Sequence, residues 1–351
     1  MTSTTAVGMI LSHDLGSINT RWAQHVLTGQ ERTVIIAVDL MAETGPRAVA
    51  DGIKTAIRKG FVEPEQIVAI GTPEALERAM GRKFPPIQWR TCTETIRMGE
   101  EFTLQARKRN SSMNVGINGM ECGEFSAFVS PGETKFMVGL AITVLGRLKR
   151  GLKPAIALPM PNVHGPCLLI DAGASPDANA NDLLHFAEMG SIYTRTRDLD
   201  NPSIGLLNMG EEPAKGNDTL QLAHRLLRES SLNFIGNVEG NDLFTKNVNV
   251  IVCPGLLGNI ALKAAEGAID ALARKFGPVW KVTQFLYRKI NRQETGGAIL
   301  LGVKGTPIIA HGNSKRKDIA NAIRTAVEEV NADVNSVIAA EVATEESEVV
   351  F

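Results

Sequence analysis

Five segments that follow predicted strands combine glycine with polar side chains. They are SPGETK after Val129, DAGAS after Ile170, NMGEEPAKGN after Leu207, GNVEGND after Ile235 and CPGLLGN after Val252. Glycine lets a backbone come close to a ligand, and free amide groups in such turns suit an anion. One such turn is ordinary, whereas five after five strands predict a polar, glycine-lined cleft where the strands end.

Short apolar runs precede these segments and alternate with helical patterns over nearly the whole chain. Continuous runs of this length, bounded by Gly, Pro and Asp, are typical of strands that are buried on both faces. The runs are 33–39, 67–71, 125–130, 154–159, 167–171, 204–208, 249–253 and 298–303. The helical patterns include 218–231, and one last helix is predicted over roughly 318–342. This alternation predicts a three-layer α/β fold with a mostly parallel central sheet and helices on both faces.

The bulk composition excludes several classes of protein. Lysine and arginine number 37 against 38 acidic residues, and the formal net charge of −1 lacks the basic excess of nucleic-acid-binding proteins. The four cysteines are far apart and form no CxxC pair, which suits a reducing compartment. No loop carries a nucleotide or dinucleotide fingerprint. Because the chain shows no secretory signal pattern and no apolar run long enough for a membrane span, we expect a soluble, cytoplasmic protein.

A set of sequence blocks carries a resemblance to a known family. The blocks are ARKRNSSM, LLIDAGAS, IGLLNMGEEPAKGN, NFIGNVEGND, VIVCPGLLGN, LKAAEG and GGAILLGVKGTPIIAHG. Over roughly 33–329 the chain closely resembles the PlsX phosphate acyltransferases. The resemblance implies a fold related to isopropylmalate dehydrogenase and phosphotransacetylase, a homodimer, and no metal or organic cofactor. It also implies a reaction in which inorganic phosphate attacks an acyl thioester on acyl carrier protein, and the acyl phosphate formed then feeds glycerophospholipid synthesis.

The implied reaction needs groups that hold an anion against a thioester carbonyl and stabilise the developing oxyanion. Hydrogen-bond donors in the strand-end segments suit this task. Lys215 is the favoured cation, because its ammonium group can act as a point charge on phosphate. The catalytic candidates are Lys215, Asp171, Asn217 and His311. The candidates for binding substrate and phosphate are Ser111, Ser112, Ser130, Gly132, Thr134, Lys135, Gly173, Gly216, Gly236, Asn237, Gly258 and Asn259.

Several of these candidates have a structural alternative. Asp171 ends a strand, where a carboxylate commonly caps the following turn. Ser111 and Ser112 precede a helical pattern and are suited to capping it. His311 lies just after a strand, where a structural histidine is the commoner case. For Lys215 the alternative is a solvated surface side chain.

The chain departs from the family pattern at several loops. The glycine pair after Asp39 is replaced at 40–43, the histidine of a His-Ala-Ser-Glu segment is lost at 91–94, and Gly-Asn-Thr-Gly becomes GETK at 132–135. Further changes fall at 177–178 and 254–255. Two alternatives to the implied reaction therefore stay open. One is a divergent enzyme that uses another acyl thioester or acceptor, and the other is a binding protein that keeps the fold without the chemistry.

The sequence also indicates surfaces for partners and the limits of the domain. Two basic stretches are candidates for meeting acidic acyl carrier protein: Arg147, Lys149, Arg150 and Lys153, and Arg274, Lys275, Lys281, Arg288 and Lys289. Segment 274–292 mixes apolar and basic residues, which suits peripheral contact with the inner face of the membrane, or else a dimer contact or a core-facing helix end. We divide the chain into an N-terminal extension (1–31), the PlsX-like α/β domain (32–342) and an acidic tail (343–351).

Overall fold

The computed structural model describes residues 34–41, 45–79, 84–96, 99–105, 107–290 and 296–348. Only the backbone is described at residues 102, 104, 270, 273, 276–290 and 343–348. All elements below belong to one compact unit that starts at Ile35. The predicted extension over residues 1–31 lies outside the described residues.

Eleven strands of the described residues form one sheet. In chain order they are β1 Ile36–Asp39, β2 Ile67–Gly71, β3 Gln88–Thr91, β4 Ala127–Ser130, β5 Ala155–Met160, β6 Cys167–Ile170, β7 Ile204–Leu207, β8 Phe234–Val238, β9 Val250–Val252, β10 Ala298–Leu301 and β11 Thr306–Ile309. Across the sheet the order is β3-β2-β1-β4-β11-β10-β5-β6-β9-β7-β8. Strands β1, β4, β6, β7 and β10 are buried along their whole length, as their continuous apolar sequences require.

The sheet has two parallel parts that run in opposite directions. Strand β10 pairs antiparallel with both β11 and β5, and β5 pairs antiparallel with β6. All other pairs are parallel. Strands β1 to β5 and β11 therefore point one way, whereas β6 to β10 point the other way. The prediction of a mostly parallel sheet is confirmed, with a reversal at its centre.

The helices connect and cover these strands. In chain order they are α1 Pro46–Arg58, α2 Pro73–Ala79, α3 Phe102–Gln105, α4 Ser112–Glu121, α5 Thr134–Leu140, α6 Ala180–Arg195, α7 Asp218–Glu229, α8 Gly255–Ile290, α9 Arg316–Ala332 and α10 Val334–Glu348. Helix α5 continues into a π-helical turn over Ala141–Leu145. Among the described residues, no helix combines the length and the apolar character that crossing a membrane requires.

The C-terminal helical region differs from the expectation. One helix over roughly 318–342 was predicted, but the structure has two, α9 and α10. Asp333 between them has φ of 44° and a left-handed conformation, which cannot continue a right-handed helix. Helix α10 extends to Glu348, into the segment predicted as an acidic tail, where only the backbone is described.

Candidate active site

Asp39 ends β1 in a buried, hydrogen-bonded cluster with the loop after β4. Ser130 Oγ donates to Asp39 Oδ2 at 2.8 Å, and the Gly132 amide donates to Ser130 Oγ at 3.1 Å. Ser112, at the start of α4, also hydrogen-bonds to Asp39. Burial raises the pKa of Asp39, although these bonds and one from the Met41 amide oppose the shift. The cluster fixes the Gly132 loop against β1 and α4.

The three candidate serines of this region are enclosed. Ser111, Ser112 and Ser130 are each at most 2% exposed. Ser111 is the N-cap of α4, and its Oγ accepts the Asn114 amide at 3.4 Å. The capping alternative therefore describes Ser111 well, whereas Ser112 and Ser130 organise the loops around Asp39.

Asp171 follows β6 and uses both carboxylate oxygens to hold the turn after this strand. Its Oδ1 accepts the amides of Ile156, Gly173 and Ala174 at 2.8 to 2.9 Å, and its Oδ2 accepts the Ser175 amide at 2.6 Å. The residue is fully buried, and burial raises its pKa although the four amides oppose the shift. Because both oxygens are occupied by backbone donors, the geometry favours turn capping over catalysis for Asp171.

The first turn of α8 packs directly on this Asp171 turn. A Cβ at Gly255 would lie 2.5 Å from Asp171 Oδ2, and a Cβ at Gly258 would lie 2.0 Å from the Asp171 backbone oxygen. Only glycine fits at such distances. Gly173 has φ of +135°, and a Cβ there would lie 3.4 Å from Asn259 Cβ. The candidates Gly173, Gly258 and Asn259 therefore form one contiguous group.

The loop that carries Lys215 is fixed through its backbone, and the lysine side chain stays accessible to solvent. Asn208 Nδ2 donates to the Lys215 backbone oxygen at 3.1 Å, and Gly216 has φ of +84°, where glycine is favoured. Asn217 is the N-cap of α7. Lys215 Nζ lies 4.0 Å from Glu212 Oε2, and the two side chains are 50% and 69% exposed. This loose pair leaves the ammonium group free to bind an anion beside the start of α7.

Gly236 and Asn237 were predicted to follow a strand, but both lie within β8, and Asn237 connects this strand to the loop of Lys215. It is 3% exposed, and its Nδ2 donates to the Glu212 backbone oxygen at 2.9 Å. Its Oδ1 has no hydrogen-bond partner within the described part of the chain. Gly236 beside it has φ of +104°, and a Cβ there would meet no atom within 4 Å. The Oδ1 atom of Asn237 is enclosed, and the Asn237 side chain fixes the loop of Lys215.

His311 lies at the other part of the sheet, just after β11. The Ala310 amide donates to the Ser130 backbone oxygen at 3.0 Å, so this loop lies beside the loop after β4. His311 Nε2 contacts Lys263 Nζ and lies 3.7 Å from Glu266 Oε2. Both partners belong to α8.

The candidate loops follow two sets of strands that run in opposite directions. The loops after β1, β4 and β11 form one group, and the loops after β6, β7, β8 and β9 form the other. The register places Ile170, at the end of β6, level with Ile308, near the end of β11, so the prediction of one shared cleft remains a prediction. Helix α8 links the groups, since Asn259 contacts the Gly173 turn and Lys263, about 6 Å further along the helix axis, contacts His311.

A cavity of about 660 Å³ lies between α4 and α5 with its π-helical turn. Helix α5 begins with Thr134 and Lys135, directly after the Gly132 loop, and Lys135 is exposed. The cavity has an apolar wall and several polar groups, namely Val115, Phe136, Leu140 and Val144 with Arg109, Asn114, Asn118 and Thr143. Its size falls within the range of small-molecule sites.

Three of the four cysteines are buried, free thiols. Burial raises the pKa of Cys92 to about 11 and that of Cys167 to about 12, and it also raises the pKa of Cys253. These thiols stay protonated near neutral pH and are poor nucleophiles. Across the described residues, no group of three or more His, Cys, Asp or Glu side chains is arranged to hold a metal ion.

Sequence reasoning missed two polar groups of this region. Lys263 and Glu266 lie in the LKAAEG block and were not selected as site residues. A signal was available, because they follow Asn259 at helical spacings of four and seven residues and so share its face of α8. Their contact with His311, which is 48 residues from Lys263 in the chain, could not be read from that spacing.

The fold is of the phosphotransacetylase type. The structure is similar to a phosphotransacetylase from Streptococcus pyogenes, with a TM-score of 0.58 and 16% sequence identity, over 90% of this chain and 100% of that one. This likeness confirms the predicted phosphotransacetylase-like fold.

The sequence gives the family. The model of the family described as fatty acid synthesis protein matches residues 34–337. A phosphate acyltransferase from Desulfitobacterium hafniense (strain DSM 10664 / DCB-2) is 38% identical, over 84% of this chain and 93% of the relative. A phosphate acyltransferase from Heliobacterium modesticaldum is 37% identical, over 83% of this chain and 92% of the relative. The chain belongs to this fatty acid synthesis protein family, as its resemblance to the PlsX phosphate acyltransferases implied.

Proposed function

We propose that this protein transfers an acyl group from a thioester to inorganic phosphate. The observation that carries the proposal is the Lys215 loop, where a half-exposed ammonium group stands beside Gly216 and the start of α7. Free helix amides and a cation are together suited to hold phosphate. The similarity to phosphate acyltransferases over nearly their whole length supports the same activity.

The reaction needs positioning more than a covalent catalyst. A phosphate oxygen forms a bond to the thioester carbonyl carbon, and the carbon–sulfur bond then breaks. The proton of hydrogen phosphate ends on the departing thiol, so the products are an acyl phosphate and a free thiol. Lys215 holds the phosphate and offsets the negative charge that develops on the carbonyl oxygen.

The acyl chain needs an apolar site next to the loops. We assign it to the cavity between α4 and α5, because its wall includes Phe136 and Leu140 and it begins at the helix that follows the Gly132 loop. Arg109, also in the lining, suits the polar head of the donor.

Acyl carrier protein is the proposed donor, and a homodimer in the cytoplasm is the proposed form. Of the first basic stretch, Arg147 and Arg150 are exposed, whereas Lys153 is committed to an ion pair with Asp182 at 3.0 Å. In the second stretch, the side chains of Lys281, Arg288 and Lys289 lie outside the described residues. The same applies to most of segment 274–292, so its peripheral membrane contact also remains a proposal.

The donor is tested by measuring thiol release from acyl carrier protein and coenzyme A thioesters of the same acyl chain, with and without phosphate. We expect phosphate-dependent release that is faster with the carrier protein. Faster turnover of the coenzyme A thioester would favour the divergent enzyme. Phosphate-independent binding of the donor without any release would favour the binding protein.

A further inference from the structure

Three polar residues of α8 form a stripe between the two groups of loops. Asn259, Lys263 and Glu266 are spaced by four and three residues, so they lie on one face of the helix. At one end of this α8 stripe, Asn259 contacts the turn of Gly173. At the other end, Lys263 and Glu266 contact His311. The stripe is therefore placed where reactants held by the two groups of loops would meet.

Both ring nitrogens of His311 have neighbours. The Asn313 amide donates to His311 Nδ1 at 3.2 Å. Nε2 contacts the ammonium group of Lys263. The ammonium group and the imidazole ring both carry N–H donors and lie side by side.

The carboxylate of Glu266 lies against both groups. Its Oε2 lies 3.1 Å from Lys263 Nζ and 3.7 Å from His311 Nε2, so the ammonium group and the ring converge on one anionic oxygen. All three side chains are roughly half exposed, at 49%, 46% and 43% for Lys263, His311 and Glu266. An exposed carboxylate of this kind gains little from its ion pair and can turn into solvent. Another anion can then take its place.

We propose that Lys263 and His311 form a second phosphate-binding site, in which a phosphate oxygen replaces the Glu266 carboxylate. The inference rests on the proposed acyl transfer, and it assigns binding roles to Lys263, which sequence reasoning missed, and to His311. Either of two reactants can supply the phosphate group that binds here. It belongs either to the inorganic substrate or to the donor, since acyl carrier protein and coenzyme A both carry their thiol on a phosphorylated pantetheine arm. Glu266 keeps the two donors paired until the anion arrives.

Three variants test the site, with Lys304 as the matched control. Lys263→Met removes one donor, and we expect the Michaelis constant of one reactant to rise by about tenfold or more, the scale of a lost hydrogen bond between charged groups. Glu266→Gln removes the competing negative charge, and the same constant should fall. Lys304→Met removes an exposed lysine from the loop between β10 and β11 and should change neither constant. Circular dichroism and thermal melting of each variant check that it is folded.

The outcomes separate the two sources and the two proposals. A rise confined to the constant for phosphate assigns the site to the inorganic substrate, and a rise confined to the constant for the donor assigns it to the pantetheine arm. If the wild type is active and both constants are unaltered in Lys263→Met and Glu266→Gln, the second site is wrong and the acyl transfer stands. If the wild type is inactive, calorimetric titration with phosphate and with coenzyme A decides. Equal affinities of the wild type and Lys263→Met for both probes overturn the site.

Discussion

At the scale of single residues, polar side chains of this chain divide into those that build loops and those that remain available. Asp39 and Asp171 are buried and hold backbone and hydroxyl groups in place. Lys215 and Lys263 are about half exposed and sit beside the loops so formed. The carboxylates thus set the geometry, and the lysines are the cations that we propose for binding an anionic substrate.

Replacement of Lys215 by Met tests the anchor for phosphate. The change keeps much of the side-chain stem and removes the charge. We expect turnover to fall by about two orders of magnitude, the scale of losing one preorganised charge-stabilising group. The melting temperature should hardly change, because the side chain is half exposed. Unaltered turnover and phosphate dependence would show Lys215 to be a surface lysine and would pass the role to Lys135.

Replacement of Asp39 by Asn tests the buried cluster through its pH dependence. Burial raises the folded-state pKa of Asp39 above its ordinary value of 3.8, so the folded protein holds this proton more tightly than the unfolded chain. Its contribution to the free energy of unfolding is therefore full below pH 3.8 and is lost as the pH rises through the folded-state pKa.

Urea unfolding from pH 4 to 7 measures this contribution. The wild type should lose stability with rising pH more steeply than Asp39→Asn. Asp171 and Glu329, whose pKa values are also raised by burial, remain in the variant, so the difference isolates Asp39. Parallel curves for the two proteins would show that Asp39 titrates alike in the folded and unfolded states.

At the scale of elements, the first turn of α8 is tightly packed, whereas Gly267, further along the same helix, has space around it. Alanine at Gly258 would place a Cβ 2.0 Å from the Asp171 backbone oxygen, whereas a Cβ at Gly267 meets no atom within 4 Å. We expect Gly258→Ala to lower the free energy of unfolding by about 1–3 kcal/mol or more, through overpacking. Gly267→Ala should raise it by about 0.4–1 kcal/mol, because alanine is the better helix former.

Chemical denaturation of both glycine variants gives the comparison. Because the two sites lie on the same helix, opposite signs would confirm that the first turn of α8 is tightly packed on the Asp171 turn. A loss of stability at both positions, or at neither, would contradict this packing.

The elements that the sequence predicts are those whose burial is visible in their composition. Continuous apolar runs predicted β1, β2, β4, β5, β6, β7, β9 and β10. Strand β3, with the sequence QWRT, is mostly exposed, and β11 contains Pro307, so neither has the pattern of a buried strand. The break between α9 and α10 depends on the left-handed backbone of Asp333, which helical periodicity does not report.

The candidate site was predictable in its residues more than in its assembly. Glycines and hydrogen-bond donors after the apolar runs indicated these loops, except that Gly236 and Asn237 lie within β8, and capping chemistry indicated the alternative role of Ser111. The division of the loops into two groups could not be foreseen, because strand direction depends on the pairing of β10 with β5 and β11. The contact of Lys263 with His311 follows from the same long-range arrangement.

At the scale of the whole molecule, the two parts of the sheet each end in loops suited to an anion, and α8 connects them. Acyl transfer joins two reactants, and an arrangement with two sets of loops around one helix can hold both. The cavity between α4 and α5, in which we propose that the acyl chain binds, is lined in part by the helix that follows the Gly132 loop.

The central claim is acyl transfer to phosphate, and the most direct test is to quantify both products of one reaction. The purified protein is mixed with an acyl thioester and inorganic phosphate; free thiol is measured with a colorimetric reagent, and acyl phosphate is measured by phosphorus nuclear magnetic resonance. We expect the two products to appear in equal amounts, only when phosphate is supplied, and with a rate that Lys215→Met reduces. Thiol release that is independent of phosphate, or that yields no acyl phosphate, would contradict acyl transfer to phosphate.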